Sequence, residues 1–207
     1  GGISVQKDLT VDATALNDGV TLSGNDTSRI FTIGTGNVEL RSLNLTGGSS
    51  TDGGAIWNRG NLHIRDSAIY SNQSAQGGAI FNRNGGSLTL ENTTISGNLA
   101  TNQGGGISSQ TTGVTLNLIH STVSGNEAEG SGGGISGVLQ RLQNSVVAGN
   151  AAPTSPDLEI SAGTTTSEGV NLVGNLAGSG LAPGANLLQG EARLAPLGDY
   201  GGDTQTM

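Results

Sequence analysis

The sequence predicts an all-β parallel solenoid, a β-helix of about eight rungs, and three observations carry that expectation. A glycine cluster followed by an aliphatic residue returns as Gly53-Gly54-Ala55-Ile56, Gly77-Gly78-Ala79-Ile80, Gly104-Gly105-Gly106-Ile107 and Gly132-Gly133-Gly134-Ile135, with the isoleucines 24, 27 and 28 residues apart. Between the clusters runs a second phrase, Leu62-His63-Ile64-Arg65-Asp66-Ser67-Ala68-Ile69, which returns with substitutions at 88–95 and 116–123. The third observation is composition: 37 glycines in 207 residues, 2% aromatic side chains and no cysteine. That leaves too few large apolar residues for one thick core, but enough aliphatics for a thin core drawn out along an axis. A fixed period of this length means stacked units, none of which can bury its apolar face alone.

Within each unit the pairs Val38/Leu40, Leu62/Ile64, Leu88/Leu90 and Leu116/Leu118 show the two-residue period of a strand with one buried face. A further aliphatic beat follows at Leu45, Ile69, Ile95 and Val123, and in the next unit at Val147. Between pair and beat lies one column, Ser42, Asp66, Asn92, His120 and Asn144, made mostly of residues that bond to nearby backbone and turn the chain. Each period therefore holds about three short strands separated by bends. Equivalent residues of successive rungs sit about 4.8 Å apart, so like side chains stack. Ile56, Ile80, Ile107 and Ile135 are expected to form one inward ladder, and Ile69, Ile95, Val123 and Val147 another. The glycines before each isoleucine let the backbone turn tightly.

The rungs fall near residues 3–27, 28–48, 53–72, 77–98, 104–126, 132–150, 157–175 and 180–200. Residues 1–150 read as regular rungs, and 151–207 as less regular rungs and a tail of the same solenoid domain. The segment Ala151-Ala152-Pro153-Thr154-Ser155-Pro156 carries two prolines and is expected to leave the column. An antiparallel sandwich of short strands is the competing architecture, but it does not require the same residue types to return in the same column.

A formal charge of −8 with only 8 basic residues argues against nucleic acid as a partner and against anionic lipid surfaces. No apolar stretch is long enough to span a bilayer. The opening Gly1-Gly2-Ile3-Ser4 has neither the charged nor the apolar region of a signal peptide, so the chain reads as a mature fragment.

The Gly-Gly-Ala-Ile phrases followed by an aromatic residue and asparagine (Trp57-Asn58, Phe81-Asn82) resemble the repeats of polymorphic outer-membrane proteins and related bacterial extracellular β-helix proteins. The phrases at 94–98 and 169–175 and the tail at 194–207 resemble those of large bacterial surface proteins described as choice-of-anchor proteins. The resemblance implies a right-handed β-helix, a longer parent polypeptide, and an extracellular or cell-surface location. It implies no one activity.

Since parallel β-helices also include polysaccharide lyases and hydrolases, catalytic groups were sought. Glycoside hydrolysis needs two carboxylates flanking one bond. Glu39, Asp66 and Glu91 fall in three different columns, and Arg41, Arg65 and Glu91 share one, which reads as a solvated ladder of mixed charge. His63 and His120 fall in different columns two rungs apart, so no metal site is expected. No catalytic residue and no cofactor are assigned. The column Glu39, His63, Thr89, Asn117 is too mixed for an ice-binding face. Trp57 and Phe81 are the candidate contacts for a surface glycan or a partner protein: they follow inward isoleucines, so alternation turns both rings outward. A covering loop or flanking segment is the competing reading. Matches to the glycosylation acceptor pattern at Asn25, Asn44, Asn72 and Asn92 are better explained as turn residues.

The expected function is that of a non-enzymatic extracellular structural or adhesive β-helix, with end-to-end stacking of copies into filaments as an expected mode of self-association. A carbohydrate-binding or polysaccharide-degrading module is the alternative.

Overall fold

The computed structural model describes residues 2–16, 19–110, 112–199 and 204–207. Three parallel sheets run the length of the solenoid. Face one stacks Ile3–Val5, Phe31–Ile33, Ile56–Asn58, Ile80–Arg83, Ile107–Gln110, Ile135–Gly137 and Leu158–Ile160. Face two stacks Leu9–Asp12, Asn37–Arg41, Asn61–Arg65, Ser87–Glu91, Thr115–Ile119, Arg141–Gln143 and Thr166–Glu168. Face three runs from Val20–Ser28 through Leu43–Gly48, Ala68–Tyr70, Thr94–Ser96, Thr122–Ser124, Val146–Val147 and Asn171–Val173 to Leu187–Gln189. A fourth sheet of three strands, Gln73–Gln76, Leu99–Gln103 and Glu127–Ala128, forms a ledge beside face one.

Seven strands in face one make six full turns, followed by part of a seventh, where the repeat predicts about eight rungs. The difference lies at the C-terminal end. The segment expected to form the eighth rung, 180–200, supplies only Leu187–Gln189 to face three. Its leucines, Leu181, Leu187, Leu188, Leu194 and Leu197, do not follow the two-residue alternation of the regular rungs, and Pro183 and Pro196 lack the N–H that a strand ladder needs.

The register follows the aliphatic phase. Ile56 pairs with Ile80, Ile80 with Ile107 and Ile107 with Ile135; Ile69 pairs with Ile95, Ile95 with Val123 and Val123 with Val147. All eight side chains are fully buried, and burial of each is worth about 1.5–3 kcal/mol. Leu62, Ile64, Leu88, Leu90, Leu116 and Leu118 line the same core from face two.

The corner between faces two and three turns through left-handed backbone. Ser42, Asp66, Asn92, His120 and Asn144 have φ of 53°, 49°, 48°, 49° and 47°, a conformation that short polar residues adopt at lower cost than most. Their side chains reach along the axis: Asn92 Nδ2 donates to Asp66 Oδ1 at 3.1 Å, and Asn144 Nδ2 lies 3.2 Å from His120 Nε2.

After face three, the chain turns on a buried asparagine ladder. Asn72 donates to Asn98, Asn98 to Asn126 and Asn126 to Asn150 through Nδ2···Oδ1 bonds of 2.8–2.9 Å. The ladder ends on Asp157, whose Oδ1 accepts Asn150 Nδ2 at 2.8 Å and whose Oδ2 accepts the Asn175 N–H at 2.7 Å. A repeating amide column always leaves one final donor, and an ionised carboxylate is an acceptor without a donor of its own. Of the four asparagines expected at turns, Asn72 is a buried ladder member and Asn44 a buried residue of the strand Leu43–Gly48. Asn25 is exposed with φ 51° within Val20–Ser28, and Asn92 is the exposed corner residue.

The segment containing Pro153 and Pro156 does not leave the column. Ala151 and Thr154 each make a single parallel bridge to the ledge side, and the Pro156 carbonyl accepts the Gly134 N–H at 3.0 Å. Prolines cannot donate, so the segment follows the ledge without forming a fourth strand there. In the tail, Thr204 Oγ1 donates to the Asp66 carbonyl at 3.2 Å, and Gly198 and Thr206 form an antiparallel bridge. Residues 200–203 of the tail motif lie outside the described residues.

Candidate functional site

The outward column of face one is Thr32, Trp57, Phe81, Ser108, Ser136 and Glu159, each paired with the next across parallel strands. The ledge borders it through a glycine turn. Gly77 has φ 62°, and a methyl group there would stand 2.1 Å from the Ile80 carbonyl oxygen and 3.0 Å from the Phe81 nitrogen. Only glycine lets the ledge fold this close.

This geometry corrects the expectation for Phe81. Trp57 is half-buried and reaches solvent, but Phe81 is 1% exposed and offers no free ring. Trp57 and Ser108 flank Phe81 on the neighbouring rungs, the glycine turn stands against its backbone, and Arg83 lies over its ring. Alternation fixes which side of a sheet a residue takes; it does not show what else comes to lie on that side.

Two residues after each ring stand Arg59, just past the end of the strand Ile56–Asn58, and Arg83, the last residue of Ile80–Arg83. Each guanidinium carbon lies 5.7 Å from the ring centroid of its own strand's aromatic, Trp57 or Phe81, within cation–π range. Both arginines are exposed. Among the described residues neither takes part in an ion pair, whereas Arg41, Arg65 and Arg141 each do. These two arginines were missed in the sequence, although the repeated tripeptides Trp57-Asn58-Arg59 and Phe81-Asn82-Arg83 mark them.

Arg29 closes the other side of the Trp57 rung. It donates to the Asp52 carbonyl at 2.6 Å, the Gly53 carbonyl at 3.1 Å, Ser50 Oγ at 2.7 Å and Thr32 Oγ1 at 3.1 Å. Burial pulls its pKa below the ordinary arginine value, with the Asp52 carboxylate pulling the other way. Its donors tie the ledge to face one. At the far end of the column, the Glu159 carboxylate accepts Ser131 Oγ at 2.7 Å and Ser136 Oγ at 2.6 Å.

The charged residues of face two form a separate surface ladder. Glu39 pairs with Arg41 at 2.7 Å, and Glu91 with Arg65 at 2.8 Å and with His63 at 3.2 Å. Each carboxylate faces a cation, the arrangement of a structural ion-pair network. His120 lies on its corner beside Asn144, two rungs from His63. Among the described residues no group of three or more metal-ligating side chains gathers.

The stacked registers and the short repeated rungs define a parallel β-solenoid repeat protein. Residues 92–110 match the family model described as the Chlamydia polymorphic membrane protein (Chlamydia_PMP) repeat. That segment runs from the Asn92 corner through Asn98 and the ledge to Gln110 on face one, most of one turn. No curated protein and no solved structure matches the chain. The repeat match and the solenoid together fit a surface-type repeat protein. No helix among the described residues is long and apolar enough to cross a membrane.

Proposed function

We propose that the chain is a non-enzymatic, surface-exposed β-solenoid of structural or adhesive role, bacterial and right-handed like the repeat proteins it resembles. Right-handed winding is the sense that parallel crossovers favour. One observation carries the reading: a row of buried asparagines serves the axis. Asn72, Asn98, Asn126 and Asn150 bond rung to rung without a gap, while the carboxylates of face two are held by cations of the same ladder. This is chemistry for a stiff rod that holds an outer face in a fixed position. The repeat match supports outer-membrane or cell-surface association.

The same reading includes self-association end to end. Among the described residues Ile3–Val5, Leu9–Asp12 and Val20–Ser28 are the terminal strands of their sheets, and strand edges can template further strands.

A paired assay of the purified chain tests the proposal. Retention on immobilised polysaccharides or cell surfaces is expected, without release of sugars. Release of reducing or unsaturated sugars, abolished by substituting a single Asp or Glu, overturns it.

A further inference from the structure

We infer that the outer strip of face one binds an anionic sugar, with a ring against Trp57 and a carboxylate or sulfate held by Arg59 and Arg83. The inference rests on the reading of the chain as a binding surface and names its ligand class.

Charge selects the class. The chain carries a net −8, yet Arg59 and Arg83 occupy neighbouring rungs, are exposed, and pair with no carboxylate among the described residues. Stacked like charges repel, so the pair has an electrostatic demand that an external anion meets. Paired strands lie about 4.8 Å apart, so the backbones that carry Arg59 and Arg83 are one strand spacing apart, and two long side chains from that base can converge on one anionic group. Guanidinium is the side chain best suited to planar oxyanions. The rings keep the two groups in place, since each guanidinium rests against its own aromatic.

Trp57 adds the second element of recognition. It is partly exposed, carries Arg59 over its ring, and stands beside Phe81, the ring that carries Arg83. An aromatic body beside a cation offers a sugar an apolar surface for its C–H face and a donor for its charge. A free inorganic anion uses only the donor.

The strip also has a boundary. Glu159 stands three rungs beyond Phe81 in the same outward column, and its carboxylate repels an anionic chain that extends towards it. The ligand therefore occupies the Trp57–Phe81 end.

The test measures binding of the purified chain to three probes by titration calorimetry: oligogalacturonate, a heparin oligosaccharide, and uncharged dextran of matched length. Binding of at least one charged probe, well above dextran and weakening with salt, is expected. Oligogalacturonate alone identifies the carboxylate as the ligand group, and heparin alone the sulfate. Arg59→Gln with Arg83→Gln should weaken binding about tenfold or more, with the fold kept by circular dichroism and the melting transition lowered by only a few degrees, the cost of two exposed cation–π contacts. Trp57→Ala should weaken sugar binding by a larger factor than inorganic sulfate binding, because the sugar loses its apolar contact as well as the support that the ring gives Arg59; an equal loss for both overturns the role of the ring. Equal binding to dextran, or full binding by the double arginine variant, overturns the inference. Retention on cell surfaces with no charged-sugar binding also overturns it, while leaving the adhesive reading standing.

Discussion

Asn98 gives both of its nitrogen donors to one atom: its Nδ2 lies 2.8 Å and its backbone N–H 3.1 Å from Asn126 Oδ1. The second Nδ2 hydrogen serves the Ile69 and Ser96 carbonyls at 3.0 and 3.1 Å, and Asn98 Oδ1 takes the same pair of donors from Asn72. A single buried side chain thus satisfies groups on three rungs. Asn98→Ala should destabilise the solenoid by about 2 kcal/mol or more, since each orphaned buried group costs about 1–3 kcal/mol. Chemical denaturation measures it; a loss below half that would show that water replaces the amide.

The terminus of this ladder is sensitive to chemistry as well as shape. Asp157→Asn keeps the volume but sets either an NH₂ against the Asn175 N–H, which now lies 2.7 Å from Oδ2, or one against the Asn150 amide. The near-isosteric change should cost about 1–3 kcal/mol, a loss read as a lower denaturation midpoint with an unchanged slope.

In the aliphatic ladder, Ile95 is fully buried between Ile69 and Val123. Ile95→Ala should cost about 2–5 kcal/mol. Ile95→Val, which keeps the β-branch of its neighbour Val123, should cost about 0.5–1.5 kcal/mol by the same denaturation assay.

Two glycines of equal backbone angle separate strain from collision. Gly77 has φ 62° and Gly97 φ 63°. A methyl at Gly77 meets the Ile80 carbonyl oxygen at 2.1 Å, whereas at Gly97 nothing lies within 4 Å. Gly97→Ala should cost only the left-handed penalty of about 1–2 kcal/mol, and Gly77→Ala much more, with loss of the ledge's protection from hydrogen exchange. Equal costs at the two sites would refute the close approach at Gly77.

Near the N-terminal end, Asp12 has its carboxyl held below the ordinary value, first by the Thr14 hydroxyl and then by the Thr14 N–H, with Arg41 adding a smaller pull. A depressed carboxyl stabilises the fold above its unfolded pKa, and that contribution disappears as pH falls through the folded one. The chain should therefore lose this contribution on acidification below about pH 4, and Asp12→Asn should remove the loss from the acid limb of a thermal-melt series.

The inward ladders were legible because a two-residue alternation reports directly on burial, and a fixed period reports on register: Ile80 can face only Ile56 and Ile107 once the phase is set. The corner column was also legible, although its mechanism differs from the expected bond to its own backbone. Asp66 and Asn92 turn the chain by left-handed φ and bond to each other along the axis. The ledge was not legible. Its inward residues Ser74, Ala100 and Ala128 are small and carry no aliphatic beat, so periodicity had nothing to register. The covering segment that competes with free rings fits Phe81, which is 1% exposed, but nothing in the sequence marks a strand sheet beside it. Arg59 and Arg83 were visible as a repeat, but that neither meets an acid among the described residues is a fact of three dimensions.

Because every asparagine of the ladder binds a neighbour of its own kind, the solenoid's length is free to change by duplication or loss of whole units. Excising residues 79–105 would join Gly78 to Gly106 and recreate a Gly-Gly-Gly-Ile phrase, bringing Asn72 against Asn126. Asp157 would still end the row. Duplication or loss of a unit would lengthen or shorten the solenoid in steps of one rung while keeping one terminator, so its length can vary by inheritance without a change of fold.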